Sequence, residues 1–274
     1  MNIIQTMKTQ IEHELISFYK ETKTKKLIIG VSGGVDSAVT LAIAVKSVGK
    51  KNVLALLLPY KLGEISSFEN FKDAENLCIS FGVEYKKIEL DDFVKPYLYL
   101  ETFTQSEKNN PLFLGNTLAR IRMTLLFSYA NATKGIVLGT CNLSEVLLGY
   151  ETKFGDGAAD ISVIGNLWKS EVYDLAKEYN LPETFITKSP SAELYQNQSD
   201  EAEMGFSYET AEIVLSALIN IPSFDVIKNK AKTIQLLSSI ITINGITKEI
   251  IEKIYTMYVN SEHKRAPMPI LLEE

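Results

Sequence analysis

The sequence predicts an α/β fold: a doubly wound, mainly parallel sheet of about five strands with helices on both faces and a helical C-terminal part. Three observations lead there. Short apolar runs alternate with helical stretches at roughly 25–30 residues, the spacing of βαβ units in a parallel sheet. The apolar run 27–31 turns through the adjacent glycines Gly33 and Gly34 straight into a helical stretch, 38–48. Hydrophobic residues make up 46% and charged residues 23% of 274 residues, enough to bury a large core.

The elements follow in order. Ile3, Ile4, Met7, Ile11, Leu15, Phe18 and Tyr19 recur at helical spacing and predict an N-terminal amphipathic helix. Strands are expected at 27–31, 53–58, 84–88 and 135–138, with helices from Ser37, over about 68–81 and over about 112–132. The last of these is apolar on more than one face (Leu118, Ile121, Met123, Leu125, Leu126, Phe127, Tyr129), so it is buried either in this chain's own core or against a partner subunit. Residues 101–110 are polar and read as a loop. Residues 150–166, flanked and spaced by Gly149, Gly155, Gly157 and Gly165, read as an irregular ordered loop. The polar stretch 189–205 reads as a lid over a site. Residues 208–260 look helical, with the β-branched run 240–246 as the weak point. The tail from 263 holds Pro267 and Pro269 and cannot continue a helix. One domain, 1–274, is expected: a core over about 20–190, a helical part over about 205–262 and the tail 263–274.

The loop carries the chemistry. Residues 30–37 read Gly30-Val31-Ser32-Gly33-Gly34-Val35-Asp36-Ser37. A strand that turns through glycines into a helix start aims backbone N–H groups and the positive end of the helix dipole at one spot, which favours a phosphate. Gly33 and Gly34 let the backbone approach the anion, Ser32 and Ser37 can add hydroxyl donors, and Asp36 sets a carboxylate beside the phosphates where it can hold Mg²⁺. A Walker loop is excluded because no lysine follows these glycines until Lys46. The dinucleotide fingerprint is excluded because the glycine spacing is wrong. The string Ser-Gly-Gly-x-Asp-Ser instead resembles the pyrophosphate-binding loop of ATP pyrophosphatases, which split ATP to AMP and pyrophosphate.

Composition removes other classes. The net charge is −6, with no basic block, which argues against a nucleic-acid partner. The N-terminus is unlike a signal peptide and no apolar run approaches about 18 residues, so no membrane partner is expected and a cytoplasmic location is the default. The two cysteines, Cys78 and Cys141, fit neither a disulfide scaffold nor a metal knuckle. Cys78 sits on an apolar helical segment and reads as core; Cys141 follows a strand end, with no histidine nearby to activate it.

A second constellation lies at 139–169, GTCNLSEVLLGYETKFGDGAADISVIGNLWK. It presents Thr140, Glu145, Lys153, Asp156, Asp160 and Lys169. Taken singly, each is an ordinary loop charge. Taken with a phosphate loop upstream, the set reads as a site: Asp36 and Glu145 can hold Mg²⁺ against phosphate oxygens, and lysines can offset pyrophosphate charge.

This segment, the phosphate loop, the helix motif NTLARIRM (116–123) and the closing His-Lys-Arg…Pro together resemble the ammonia-dependent NAD⁺ synthetases over nearly the whole chain. The resemblance implies an adenine nucleotide alpha hydrolase-like fold. It also implies a reaction in which ATP and Mg²⁺ adenylate the carboxylate of deamido-NAD⁺ (nicotinic acid adenine dinucleotide), releasing pyrophosphate. Ammonia then attacks the adenylate to give NAD⁺ and AMP. By the same resemblance Asp36 and Glu145 match magnesium ligands. The loop from Gly30 to Ser37, with Thr140, Lys169 and Ser191, matches ATP-binding positions. Arg120, Lys153, Asp160, His263 and Lys264 match positions that hold the deamido dinucleotide, in a cleft built across a homodimer. Asp36, Lys169 and Asp160 are the expected catalytic set, with Asp160 orienting ammonia or taking its proton. Two departures stand out: Ser191 replaces a frequent threonine, and Glu193 a frequent glycine. Too few residues precede Leu27 for an amidase domain, so free ammonia is the expected donor. The alternatives are another ATP pyrophosphatase, such as a GMP-synthetase-like amidating enzyme or a tRNA-modifying adenylating enzyme, and a nucleotide-binding protein without turnover.

Overall fold

The computed structural model describes residues 3–61, 68–108, 110–191, 199–222, 226, 229–243 and 245–267, with the side chains of residues 68, 69 and 111 excepted. Glu193 and Pro269 lie outside the described residues, as do residues 192–198 of the expected lid. The strands are β1 (Leu27–Gly30), β2 (Val53–Leu57), β3 (Glu84–Lys87), β4 (Ile136–Gly139) and β5 (Ile161–Ser162). The helices are α1 (Ile3–Glu21), α2 (Val35–Val48), α3 (Phe68–Phe81), α4 (Asp91–Leu98), α5 (Gln105–Lys108), α6 (Pro111–Thr133), α7 (Leu143–Leu148), α8 (Lys169–Glu178), α9 (Glu183–Thr187), α10 (Asp200–Met204), α11 (Tyr208–Ile219), α12 (Lys230–Ile240), α13 (Lys248–Asn260) and α14 (Glu262–Arg265).

The sheet is parallel throughout, in the order β3-β2-β1-β4-β5. In register, Leu27 faces Val53 on one side and Ile136 on the other. The chain winds outward from β1 to β3 and then returns to β1's other side as β4. That reversal puts a crevice at the carboxyl ends of β1 and β4, where open α/β sheets bind ligands.

Alternate residues of the central strands face opposite cores, as the period of two requires. Leu27 and Ile29 pack with Leu15 of α1, Leu41 and Ile43 of α2 and Leu175 of α8. Ile28, Leu54 and Leu56 pack on the other face with Val94 of α4 and Leu118 and Leu126 of α6. A third cluster joins Leu147 and Leu148 of α7 to Leu215, Leu237 and Ile254 of the C-terminal helices. Both faces of the central strands are covered, so β2 reads as an unbroken apolar run rather than an alternating one, whereas the edge strand β3 stays largely exposed.

The expected α/β class is observed, with local corrections. α2 begins at Val35 rather than Ser37, which places Asp36 in its first turn. The fifth strand lies inside the segment read as irregular; two residues are too few to show a period. The polar stretch 101–110 contains the single turn α5, and the tail begins with α14, which carries His263 and Lys264 and ends before Pro267. The β-branched stretch does break the C-terminal helices: α12 stops at Ile240, and α13 starts after Thr247, whose hydroxyl accepts from Ile250 N. This chain's own core buries Leu118, Ile121, Met123 and Leu126 of α6, while Leu112 stays 53% exposed.

Candidate active site

The phosphate loop is braced from within. Ser32 N donates to Ser37 Oγ (3.2 Å), Gly34 N donates to Ser32 Oγ (3.2 Å), and Ser37 Oγ donates to Gly34 O (3.0 Å). The two serines therefore shape the loop as well as facing the cavity. The glycines also divide their work. Gly33 has φ +94, and a Cβ there would lie 2.3 Å from the backbone oxygen of Asn70, so the first turn of α3 packs directly on it. Gly34 has an ordinary φ of −88, and its Cβ would meet only Ser32 Oγ, at 3.4 Å. Gly33 is demanded by packing; Gly34 is the glycine with an open face.

Opposite the loop, three elements converge on one ammonium. Lys169 Nζ, at the start of α8, donates to Asp36 Oδ2 on α2 (2.6 Å) and to Glu145 Oε1 on α7 (3.1 Å). Lys169 is 3% exposed. Asn142, fully buried, caps α7 by accepting from Glu145 N (3.0 Å), and its Nδ2 donates to Asp36 Oδ1 (2.8 Å). The Glu145 side chain returns to accept from Asn142 N (3.2 Å), completing a capping box. Burial and then the neighbouring Asp36 push the Glu145 carboxyl above its ordinary range, against the pull of Lys169. Burial alone would lower the Lys169 ammonium; the Asp36 and Glu145 carboxylates outweigh it and hold the group charged. Asn142 is the residue that the sequence reading missed. Its signal was local: an asparagine directly before a short apolar helix, three residues ahead of a glutamate.

A second polar group lies on the same cavity. Cys141 Sγ donates to Asp156 O (3.3 Å), Asp156 Oδ1 accepts from Thr152 N (2.9 Å), and Thr152 Oγ1 donates to Asn116 Oδ1 (2.8 Å). Desolvation by the surrounding cleft raises the Asp156 and Glu151 carboxyls, and Asp156, which keeps an exposed face, raises Glu151 further. Lys264 Nζ donates to Gly149 O (2.6 Å) and to Glu151 O, and burial lowers its ammonium. Cys141 is buried, and its thiol is held well above its usual range by burial and Asp156, so it is no nucleophile.

The cavity at the β1/β4 crevice has a volume of about 610 Å³. Of the residues singled out from the sequence, Gly30, Val31, Ser32, Gly34, Val35, Asp36, Ser37, Thr140, Glu145, Lys169, Ser191 and Lys264 line it. Gly33, Arg120, Lys153, Asp160 and His263 do not. Arg120 Nε donates to Lys153 O (3.3 Å) and Lys153 Nζ to His263 O, so these three form a surface chain from α6 to α14. Asp160 stands apart: its Oδ2 accepts from Val137 N (2.7 Å) and its own N donates to Val137 O (3.0 Å), which ties it to the backbone of β4. No helix among the described residues is long and apolar enough to cross a membrane.

A parallel sheet with a strand–glycine loop–helix unit at its reversal point, facing a lysine held by two carboxylates, defines an α/β phosphate-loop protein. Comparison with known proteins narrows the class. The family model for NAD synthase matches residues 7–268. The NH₃-dependent NAD⁺ synthetase of Campylobacter jejuni (strain 81116) is 44% identical over 199 residues, 73% of this chain and 77% of that protein. Among solved structures, the NMN synthetase of Francisella tularensis superposes with a TM-score of 0.81 at 30% identity, covering 99% of each chain. An NH₃-dependent NAD synthetase of C. jejuni superposes at 0.75, also at 30% identity, covering all of both chains. The chain belongs to the NAD synthase family and is a ligase of NAD⁺ biosynthesis, forming NAD⁺ by amidation.

Proposed function

We propose that this chain amidates deamido-NAD⁺ with free ammonia at the expense of ATP, through an adenylate of the substrate carboxylate. The observation that carries the reading is the Lys169 ammonium held between Asp36 and Glu145 opposite the glycine loop. A carboxylate is a poor electrophile because ammonia attacking it would have to expel oxide. Joining it to AMP supplies a leaving group, and the enzyme's work is to align the carboxylate with the α-phosphorus and to absorb the charge of departing pyrophosphate. The chain supplies what that needs: N–H groups at the start of α2, an open approach at Gly34, and the buried cation of Lys169. No nucleophile of the protein's own is required. Thr140 and Ser191, both on the cavity wall, complete the proposed ATP set.

The donor set also fits Mg²⁺. Asp36 and Glu145 bring their carboxylates together at Lys169 Nζ, and Mg²⁺ characteristically takes one or two protein carboxylates and completes its shell with water and phosphate oxygens, so these two are the acceptors that would share an ion with that ammonium. In this reading these two residues hold the ion, which offsets phosphate charge when bound. Asp160 is proposed as a brace of β4 rather than the group that meets ammonia, because its carboxylate is engaged by Val137 N. Lys264 reaches the cavity wall and is proposed at the pyridine nucleotide, while Arg120, Lys153 and His263 lie on the adjoining surface, where the second subunit of a homodimer would close the cleft.

The likeness to the NMN synthetase of Francisella tularensis supports a second substrate, the corresponding deamido mononucleotide, at the same site. One assay tests both. Purified protein with ATP, Mg²⁺ and ammonium is expected to release pyrophosphate only when the deamido dinucleotide or mononucleotide is present, and the ratio of kcat/KM assigns the preferred one. Pyrophosphate release without either, or equal turnover with glutamine in ammonia-free buffer, would overturn the proposal.

A further inference from the structure

α8 begins without a cap of its own. The residue before it is Trp168, whose side chain has no oxygen to accept from the first N–H groups of the helix. Trp168 N donates within the same turn to Glu171 Oε2 (2.8 Å), and the next donors are met from other elements: Lys169 N donates to Ser144 Oγ (3.0 Å) on α7. Ser170 N and Ser170 Oγ donate to Glu212 Oε1 (3.2 Å) and Oε2 (2.6 Å), from α11, 42 residues away. Ser144 Oγ in turn donates to the same Glu212 Oε1 (2.9 Å). One carboxylate therefore joins the first turns of α7 and α8. Those turns carry Glu145 and Lys169, each adjacent in sequence to a residue that Glu212 holds.

We infer that Glu212 is a positioning residue: it sets the separation of Lys169 and Glu145, and so makes the phosphate-facing cluster depend on the docking of α11. The inference rests on the proposed work of Lys169 at the phosphates. A negative group at a helix start is favoured by the helix dipole, so the contact also holds α8 at its N-terminal end, where Lys169 must be fixed. Glu212 itself faces Ser144 and Ser170, does not line the cavity and touches no reacting atom.

The test measures kcat and KM for ATP in pyrophosphate release, beside the melting temperature. Glu212→Ala is expected to lower kcat roughly 10–100-fold with KM for ATP little changed, the loss typical of a misplacement near 1 Å. Glu212→Gln is expected to recover most of that rate, because its amide oxygen still accepts from Ser170 N and Ser144 Oγ. Ser144→Ala removes the same link from the other side, so Ser144→Ala with Glu212→Ala is expected to be no slower than the poorer single variant. Ser207→Ala, which loses only the local cap of α11, is expected to lower the melting temperature with kcat per folded molecule unchanged. If Glu212→Ala does not fold, Ser144→Ala carries the test alone. A Glu212→Ala protein that loses stability as Ser207→Ala does and keeps its kcat overturns the inference, as does additivity in the double variant. Lys169→Met separates the two levels: normal turnover there would sink the site reading itself, whereas lost turnover there with normal Glu212→Ala kinetics would sink only the present inference.

Discussion

Gly33→Ala tests the architecture of the phosphate loop most directly. The added methyl carbon would lie 2.3 Å from Asn70 O and 2.9 Å from Asn70 C. Real Cβ contacts essentially never fall below 3.0 Å, so either the loop or the first turn of α3 must retreat by about 1 Å. Neither is a flexible side-chain end: both contacts are backbone. The positive φ of +94 adds strain of its own for an alanine. Strain of this kind costs about 1–3 kcal/mol. At about 2–4 °C per kcal/mol for a chain of this size, the melting temperature should fall by about 2–12 °C. Displacing a phosphate-facing loop by about 1 Å should slow pyrophosphate release by roughly 100-fold. Gly34→Ala is the matched control, since its methyl meets only Ser32 Oγ at 3.4 Å. It should melt within about 1 °C of the parent, and any loss should appear as a raised KM for ATP. A Gly33→Ala protein with parental melting and turnover would refute the packing of α3 on the loop and the division of labour between the two glycines.

Asp160→Ala should remove about 1–2 kcal/mol of stability by leaving Val137 N without its side-chain acceptor, while kcat stays within a few-fold; lost turnover at unchanged stability would return Asp160 to the chemistry. Burial pushes the Cys78 thiol up to about 12 and raises Cys141 also, so iodoacetamide at pH 8 should label neither cysteine in the native protein, and both after denaturation. Stability should fall as pH climbs through the alkaline range. Cys78, Tyr179 and Tyr208 are all raised, chiefly by burial, so the folded state retains protons that the unfolded chain releases above about pH 9. Lys169, raised by its carboxylates, adds stability that is likewise lost once the unfolded chain begins to deprotonate. Urea midpoints measured at pH 8 and pH 10.5 should therefore decrease, and an unchanged midpoint would contradict the burial of these groups.

Much of this protein was legible because its signals are local. The βαβ alternation follows from apolar runs that need both faces of a sheet covered. The loop 30–37 is contiguous, so its chemistry could be read letter by letter. What was not legible came from short elements and distant partners. The two residues of β5 have no period to detect. α7 hides within a glycine-spaced segment, and only its capping box of Asn142 and Glu145 betrays it. α4 carries Pro96, which reads as a breaker even though a short helix accommodates it.

By itself the sequence determined the α/β class, the glycine turn at the end of β1, and the residue types proposed for phosphate chemistry, because each rests on neighbours within a few positions. Only the tertiary structure decided which of those residues meet. It brought Asp36, Glu145 and Lys169 onto one ammonium across 133 residues of chain, and sent Asp160 to the backbone of β4. It also gave α8 a cap from α11. Hydrogen-bond geometry and burial are properties of three-dimensional neighbours, and no spacing along the chain encodes them.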